Sequence, residues 1–288
     1  MALPAIAPYP MPTAADLPPN RVDWTADPGR AVLLVHDLQN YFLRAFTPGA
    51  SPLTELLANT AALLGRARAL GVPVVYSAQP GGQSPAERGL QQDFWGPGLP
   101  DDARMRAIPD AVAPVEGDTV LTKWKYSAFV RTDLEERMRA AGRDQLVIAG
   151  VYAHIGVKVT ACDAWMRDIQ AFLAADALAD FSADDHRDAL AWAAAKCAAV
   201  TTADRIFAGS RQPMALTRDR IRQDVADVLG EEPEDISDDE NLADLGLDSV
   251  RIMTLVERWR REGATIAFVE LAEEPSVENW WALLKERV

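Results

Sequence analysis

Cysteine is nearly absent: Cys162 and Cys197 are the two found in 288 residues. Both fall in segments of helical spacing, in neither a metal-ligand nor a disulfide pattern, which points to a reducing compartment and by default to the cytoplasm. Histidine is scarce as well, at three. His154 and His186 have no ligating partner at i+3 or i+4, so no metal is implied and structural roles are expected for both. No apolar run approaches the roughly eighteen residues of a membrane span. The first twenty residues hold six prolines and no Lys or Arg, unlike the charged start and apolar stretch of a signal peptide. Basic residues are in deficit, 29 against 43 acidic ones. Residues 213–288 alone carry 19 acidic and 9 basic side chains. A surface of that sign disfavours nucleic acid and membrane lipid; it suits basic protein partners or simply maintains solubility.

What is present is enough apolar material, 49% of the chain, to build one large domain and one small one. Apolar, β-branched runs at 31–35, 72–77, 119–122, 145–151, 171–175 and 198–202 predict six strands. Helix-period segments at 53–70, 132–141, 157–167 and 184–196 separate most of them. Strands alternating with helices predict an α/β fold, a doubly wound, mostly parallel six-stranded sheet with helices on both faces. Ligands in such sheets bind beyond the carboxyl ends of the strands, so the residues that follow each run are the candidates for chemistry.

After Ile206 the alternation stops, and 208–213 (Ala-Gly-Ser-Arg-Gln-Pro) reads as a linker. The expected division is a domain at 1–207 and a second at 214–288, the latter a small all-α helical bundle with helices near 216–229, from Ser249 to about Arg261, and after Pro275-Ser276. Within it, Asn241-Leu-Ala-Asp-Leu-Gly-Leu-Asp248-Ser249-Val-Arg-Ile-Met253 resembles the phosphopantetheine attachment site of acyl and peptidyl carrier proteins. The Asp-Ser pair alone would be read as a helix N-cap. In this context the resemblance implies 4'-phosphopantetheine covalently on Ser249, where a helix start favours the incoming phosphodiester. Val250, Ile252 and Met253, just behind it, are candidates for partner recognition or for core.

Three stretches of the large domain end at predicted strand ends: Val35-His36-Asp37-Leu-Gln-Asn-Tyr-Phe42, Lys123-Trp-Lys-Tyr-Ser-Ala-Phe129 and Gly150-Val-Tyr152-Ala-His-Ile-Gly156. Together they resemble the isochorismatase-like hydrolase superfamily, whose members commonly use an Asp, Lys and Cys triad. Asp37 and Lys123 match it. Gly156 stands where cysteine-nucleophile members such as nicotinamidases have the thiol, and neither Cys162 nor Cys197 falls in register, so covalent thiol catalysis is not expected. Loss of the nucleophile is the pattern of true isochorismatases, which cleave a vinyl ether with a proton and a water.

Similarity from Val22-Asp-Trp24 to the C-terminus resembles the bifunctional isochorismatase and aryl carrier proteins of catechol siderophore synthesis. That resemblance implies hydrolysis of isochorismate to 2,3-dihydro-2,3-dihydroxybenzoate and pyruvate. It assigns proton donation to Asp37, electrostatic and steric shaping to Lys123 and Gly156, and substrate binding to Gln79 and Arg88, with Tyr152 and Gly156 lining the pocket. Arg88 is suited to pair bidentately with a substrate carboxylate. Phe42 and Trp95 are apolar walls or core residues. His36 should point to the face opposite Asp37 and help to position the site; Lys125 is expected at the surface. Implied partners are isochorismate, a phosphopantetheinyl transferase, an aryl-acid adenylating enzyme and a nonribosomal peptide synthetase condensation domain; a homo-oligomer is compatible with the sequence. The competing readings are a 2-amino-2-deoxyisochorismate hydrolase of a phenazine-type pathway, which the fused carrier argues against, and a non-catalytic docking platform for the carrier, which would not require Asp37, Lys123, Gln79 and Arg88 together.

Overall fold

The computed structural model describes residues 3–208, 216–261, 264 and 266–285, with the backbone alone of Arg261. The chain divides into two compact units, Met1–Ser210 and Arg211–Val288. The linker expected at 208–213 lies, from residue 209 onward, outside the described residues.

In the first unit, β1 (Ala31–His36), β2 (Val74–Ala78), β3 (Thr119–Thr122), β4 (Gln145–Val151), β5 (Gln170–Ala179) and β6 (Ala198–Thr201) form one six-stranded sheet in the order β3-β2-β1-β4-β5-β6. Every adjacent pair is parallel. The helices are α1 (Asn40–Leu43), α2 (Leu53–Ala69), α3 (Pro85–Arg88), α4 (Gln91–Trp95), α5 (Ala103–Arg106), α6 (Leu134–Ala140), α7 (Lys158–Trp165) and α8 (Ala183–Lys196). β1 is fully buried, and its alternation splits it between two cores. Leu33 and Val35 pack with Leu56, Leu63 and Leu64 of α2. Val32 and Leu34 pack with Leu134, Ala161 and Leu190 of α6, α7 and α8. Each such side chain contributes about 1.5–3 kcal/mol by leaving water. The near-continuous apolar character of the strands thus follows from burial on both faces.

β5 runs four residues beyond the predicted end at 175. The strand bulges there: Ile148 pairs with Leu173 but Gly150 with Leu178. Asp176, which interrupts the apolar run, sits in the bulge, where its Oδ1 accepts from the Ala203 amide at 2.6 Å and its carbonyl from Asn59 Nδ2 at 2.7 Å. The extra length carries the chain forward to Asp180 and Phe181. An N-terminal strap crosses this end of the sheet: the Ile6 amide donates to Ala45 O at 2.7 Å, and the Asp180 amide donates to Tyr9 Oη at 2.8 Å.

The second unit contains α9 (Arg218–Leu229), α10 (Ser249–Arg261), α11 (Phe268–Glu273) and α12 (Val277–Leu284). Thr217 caps α9 and Ser276 caps α12 through their side chains. Trp259 and Trp280 meet edge to face, 5.7 Å apart, inside a core of Ile221, Val225, Leu255 and Leu271. Asp224, buried on α9, accepts from Arg220 at 2.8 Å, from Arg258 at 2.9 Å and from Trp259 Nε1 at 2.8 Å, tying α9 to α10. Among the described residues no helix is long and apolar enough to cross a membrane.

Candidate active site and carrier site

The chain builds β1, β2 and β3 outward in one direction, then places β4 on the other side of β1. A crevice opens where the winding reverses, beyond the carboxyl ends of β1 and β4. Asp37 leaves β1 at this point with φ of +52°. Its carboxylate is 4% exposed. Oδ1 accepts from Ser77 Oγ at 2.8 Å; Oδ2 accepts from Lys123 Nζ at 2.9 Å and from Gln79 Nε2 at 3.1 Å. Burial alone would push the carboxyl up, but the Lys123 ammonium and the hydrogen bonds to the ionised form outweigh it and hold Asp37 below its ordinary value. The free site therefore presents a carboxylate paired with an equally buried ammonium.

Gln79 is fixed by a neighbour that sequence reading missed. Gln39 Oε1 accepts from the Gln79 amide at 2.7 Å, while Gln39 Nε2 donates to the Gln79 and Arg106 carbonyls, each at 3.0 Å. Ser77, the direct anchor of Asp37, was missed too. It pairs with His36 across β1 and β2, and a polar residue at the end of a buried strand was the available signal.

Arg88 ends α3 at 3% exposure. Its Nε donates to Gly96 O and its Nη1 to Gln83 Oε1, both at 3.2 Å. Among the described residues no carboxylate pairs with it, so the guanidinium retains donors for an anion. The guanidinium needs glycine at 98, where an added Cβ would lie 2.6 Å from Arg88 Cζ and φ is +74°. Lys125, expected at the surface, is half-buried: its Nζ donates to Arg88 O at 2.7 Å, because the α3 carbonyl end turns toward β3.

Beyond β4 the chain makes one wide helical turn, Ala153–Val157, before α7. Gly156 in that turn has the His36 ring where a side chain would go: a Cβ would lie 2.3 Å from His36 Cε1. His36 lies on the α7 face, as strand alternation implied, yet its ring also reaches the cavity wall. Its Nδ1 is 2.9 Å from Val151 O, which requires the proton on that nitrogen. Burial pushes His36 down from 6.5 to about 4, so the ring is neutral at pH 7. Tyr152 donates to Phe42 O at 2.7 Å and packs against Phe181 at 4.5 Å between ring centres. Trp95 Nε1 donates to Tyr126 Oη at 2.6 Å.

These elements form a cleft open to solvent, with about 590 Å3 of empty space when its mouth is included. Asp37, Phe42, Gln79, Arg88, Trp95, Lys123, Tyr152 and Gly156, all singled out in the sequence, line it together. Leu3, Gln91, Tyr126 and Phe181 also line it, and sequence reading did not find them. His154 and His186 do not line it: the partly exposed His154 pairs with Asp180 and packs on Phe181, and the buried His186 lies 3.1 Å from Ala175 O and 3.3 Å from Tyr9 Oη.

In the second unit Ser249 is the exposed first residue of α10. Asp248 Oδ1 accepts from the Val250 amide at 3.1 Å and the Arg251 amide at 2.9 Å. The neighbouring aspartate thus serves as the cap and leaves the serine hydroxyl outward, a fit for a bulky phosphodiester. Val250 and Met253 are exposed at 74% and 44%. Ile252 instead enters the core at 6% exposed, because i+3 from Ser249 turns inward on this helix.

Residues 31–205 match the family described as isochorismatase domain, and residues 219–284 match the phosphopantetheine attachment site family. A Bacillus subtilis protein named isochorismatase is 54% identical over 100% of this chain and 96% of its own length. Enterobactin synthase component B of Escherichia coli K12 is 43% identical over 100% of both. The phenazine biosynthesis protein PhzD of Pseudomonas fluorescens is 50% identical over 71% of this chain and 98% of its own. Among solved structures, an isochorismatase family protein from Burkholderia thailandensis is 28% identical with a TM-score of 0.57, over 64% of this chain and 96% of that one.

Proposed function

The chain belongs to the isochorismatase family, and from that premise we propose that its first unit hydrolyses isochorismate to 2,3-dihydro-2,3-dihydroxybenzoate and pyruvate, while its second carries an aryl acid for nonribosomal siderophore synthesis. The observation that carries the hydrolysis is the buried Asp37 carboxylate, held by Lys123, Ser77 and Gln79, beside a Gly156 whose side-chain position is filled by His36. This carboxylate can act as the acid once substrate has protonated it, and a thiol at 156 would run into the His36 ring.

Vinyl ether cleavage begins with a proton delivered to the methylene carbon. Asp37 is ionised in the free site, so it must gain a proton when substrate enters. Substrate carboxylates that engage Lys123 and Arg88 withdraw the compensation from the already buried Asp37, which favours the neutral acid. After Asp37 gives up the proton, its carboxylate is the base that receives one from the water adding to the oxocarbenium carbon. The resulting hemiketal breaks its ring-oxygen bond to release pyruvate and the ring diol, consuming one water overall.

Ser249 Oγ would hold the 4'-phosphopantetheine, which supplies a terminal thiol for carriage of the aryl acid as a thioester. The exposed Val250 and Met253 support docking of a phosphopantetheinyl transferase, an aryl-acid adenylating enzyme and a condensation domain at this end of α10. A cytoplasmic setting belongs to the same proposal. The match to PhzD favours 2-amino-2-deoxyisochorismate as a second reading. PhzD aligns with 71% of this chain, against the whole-chain matches to the other two relatives, so isochorismate is preferred.

Pyruvate release from isochorismate, coupled to lactate dehydrogenase, tests the hydrolysis; turnover confined to the amino analogue would refute it. Coenzyme A with a transferase should add one arm by mass, and Ser249→Ala should abolish the addition. An arm on Ser249→Ala would refute the attachment site.

A further inference from the structure

Lys125 lies two residues beyond Lys123 and, unlike it, does not line the cleft. Its Nζ donates to Arg88 O at 2.7 Å, and a Cβ added at Gly89 would meet it at 3.4 Å, so the ammonium sits against the carbonyl end of α3. Among the described residues no carboxylate pairs with it. Burial, then the nearby Arg131 and Arg88 charges, hold the ammonium below its ordinary value. Lys125 and Arg88 are thus neighbouring cations, neither with a carboxylate partner. They disfavour each other in the free protein, and an anion bound at Arg88 removes that cost.

The segment 83–98 that carries Arg88 is held together from within. Arg88 donates to Gln83 Oε1 and Gly96 O, its guanidinium packs on Gly98, and Ser84 and Glu87 form a capping box at the start of α3. Where this piece lies over the cleft depends on what ties it to the sheet. Two residues beyond β3 do so: Lys125 through Arg88 O, and Tyr126, whose Oη accepts from Trp95 Nε1 at 2.6 Å. The first tie falls on Arg88 itself. We propose that Lys125 is the positioning residue for Arg88, clamping its main chain against the end of β3 so that the guanidinium is presented to a substrate carboxylate. An arginine that had to be ordered as substrate arrived would bind more weakly. The assignment rests on Arg88 as the carboxylate-binding group of the proposed hydrolysis, but one arm of its test requires no substrate.

Lys125→Met keeps the aliphatic stem and removes the donor. A charge-assisted hydrogen bond at a half-buried site corresponds to about tenfold in affinity. In the full chain, Lys125→Met should lower kcat/KM for isochorismate by about that factor, through KM with kcat nearly unchanged. Lys125→Arg, which restores a cationic donor, should recover most of the loss. Arg88→Met removes the group on which the clamp acts, so adding Lys125→Met to it should lower kcat/KM by less than about twofold further. An equal loss in both backgrounds means that Lys125 acts on the substrate or the fold directly and overturns the positioning role, as does an unchanged kcat/KM in the single variant. Amide hydrogen exchange needs no ligand: peptides spanning 83–98 should exchange faster in Lys125→Met than in the parent, while those from β1 and β4 keep their protection. Unchanged exchange over 83–98, or equal acceleration in β1 and β4, overturns the clamp. Failure of the unsubstituted protein to release pyruvate overturns the substrate reading instead, and the exchange arm still decides the clamp.

Discussion

Replacing Asp37 by Asn separates proton donation from everything else the carboxylate does. An amide oxygen can occupy the position that now accepts from Lys123 and Gln79, and the amide nitrogen can then donate to Ser77 Oγ, 2.8 Å from Oδ1. Shape is kept. The transferable proton is lost, and Lys123, 1% exposed, is left without its counter-charge. From an ordinary value of 3.8, lowered further in the free protein, fewer than about one Asp37 in a thousand is protonated at pH 7. Bringing that group to half-protonation near pH 7 requires at least about 4 kcal/mol from substrate binding. A Lys123 ammonium drawn from Asp37 to a substrate carboxylate is a source of that size, since removing one partner of a buried pair typically costs about 3–5 kcal/mol. Asp37→Asn should therefore lower kcat by about 100-fold to 10,000-fold and destabilise the fold by a few kcal/mol, while the ring diol still binds. Steady-state pyruvate release across pH, calorimetric diol binding and a urea titration measure the three effects. Near-normal kcat with intact binding would show that the proton comes from another group.

Gly156→Ala should displace the His36 ring and break its contact with Val151 O, costing about 1–3 kcal/mol and most of the activity; His36→Ala in the same chain should restore stability, and a single variant as stable as the parent would refute the close approach. His36 and His186 are both pushed by burial from 6.5 to about 4, so the unfolded chain takes up two protons that the native one refuses. Stability should be full above pH 6.5 and fall between there and about 4, by at most about 3 kcal/mol per pH unit; urea midpoints that do not change over this window would contradict it. Asp224→Ala leaves Trp259 Nε1 without its acceptor and Arg258 with Asp227, 3.5 Å away, in place of the buried partner, and should cost the carrier unit about 3–5 kcal/mol. Calorimetry of the full chain should then show the carrier transition move far down in temperature, and an unmoved transition would count against the hub.

The sheet and the positions of Asp37 and Lys123 were legible because each rests on local pattern, a strand and then a charged residue at its carboxyl end, whereas Gly156, in the turn beyond β4, was legible through the family resemblance. The parts that were not legible depend on neighbours distant in sequence. Ser77 and Gln39 matter because β2 lies beside β1, which no single segment announces. The continuation of β5 past 175 was hidden by Asp176, a residue that ordinarily ends a strand and here is satisfied within a bulge by Ala203 and Asn59. Lys125 looked solvated because nothing local reveals that the Arg88 carbonyl turns toward it. Helices α3, α4 and α5 are four or five residues each, too short to show a period, although Gln91 and the mounting of Arg88 lie there. Leu3 was read as part of a proline-rich start, not as cavity wall.

The contact of His36 with the bare α-carbon of Gly156 also constrains ancestry. A lineage moving between this chemistry and thiol chemistry cannot place cysteine at 156 first, because the imidazole already occupies that volume. Residue 36 must shrink or swing away beforehand, and that step by itself opens a hole beside Asp37 with nothing yet to fill it. The two changes are each harmful alone and compatible together, so the path between the two chemistries crosses a fitness valley two substitutions wide.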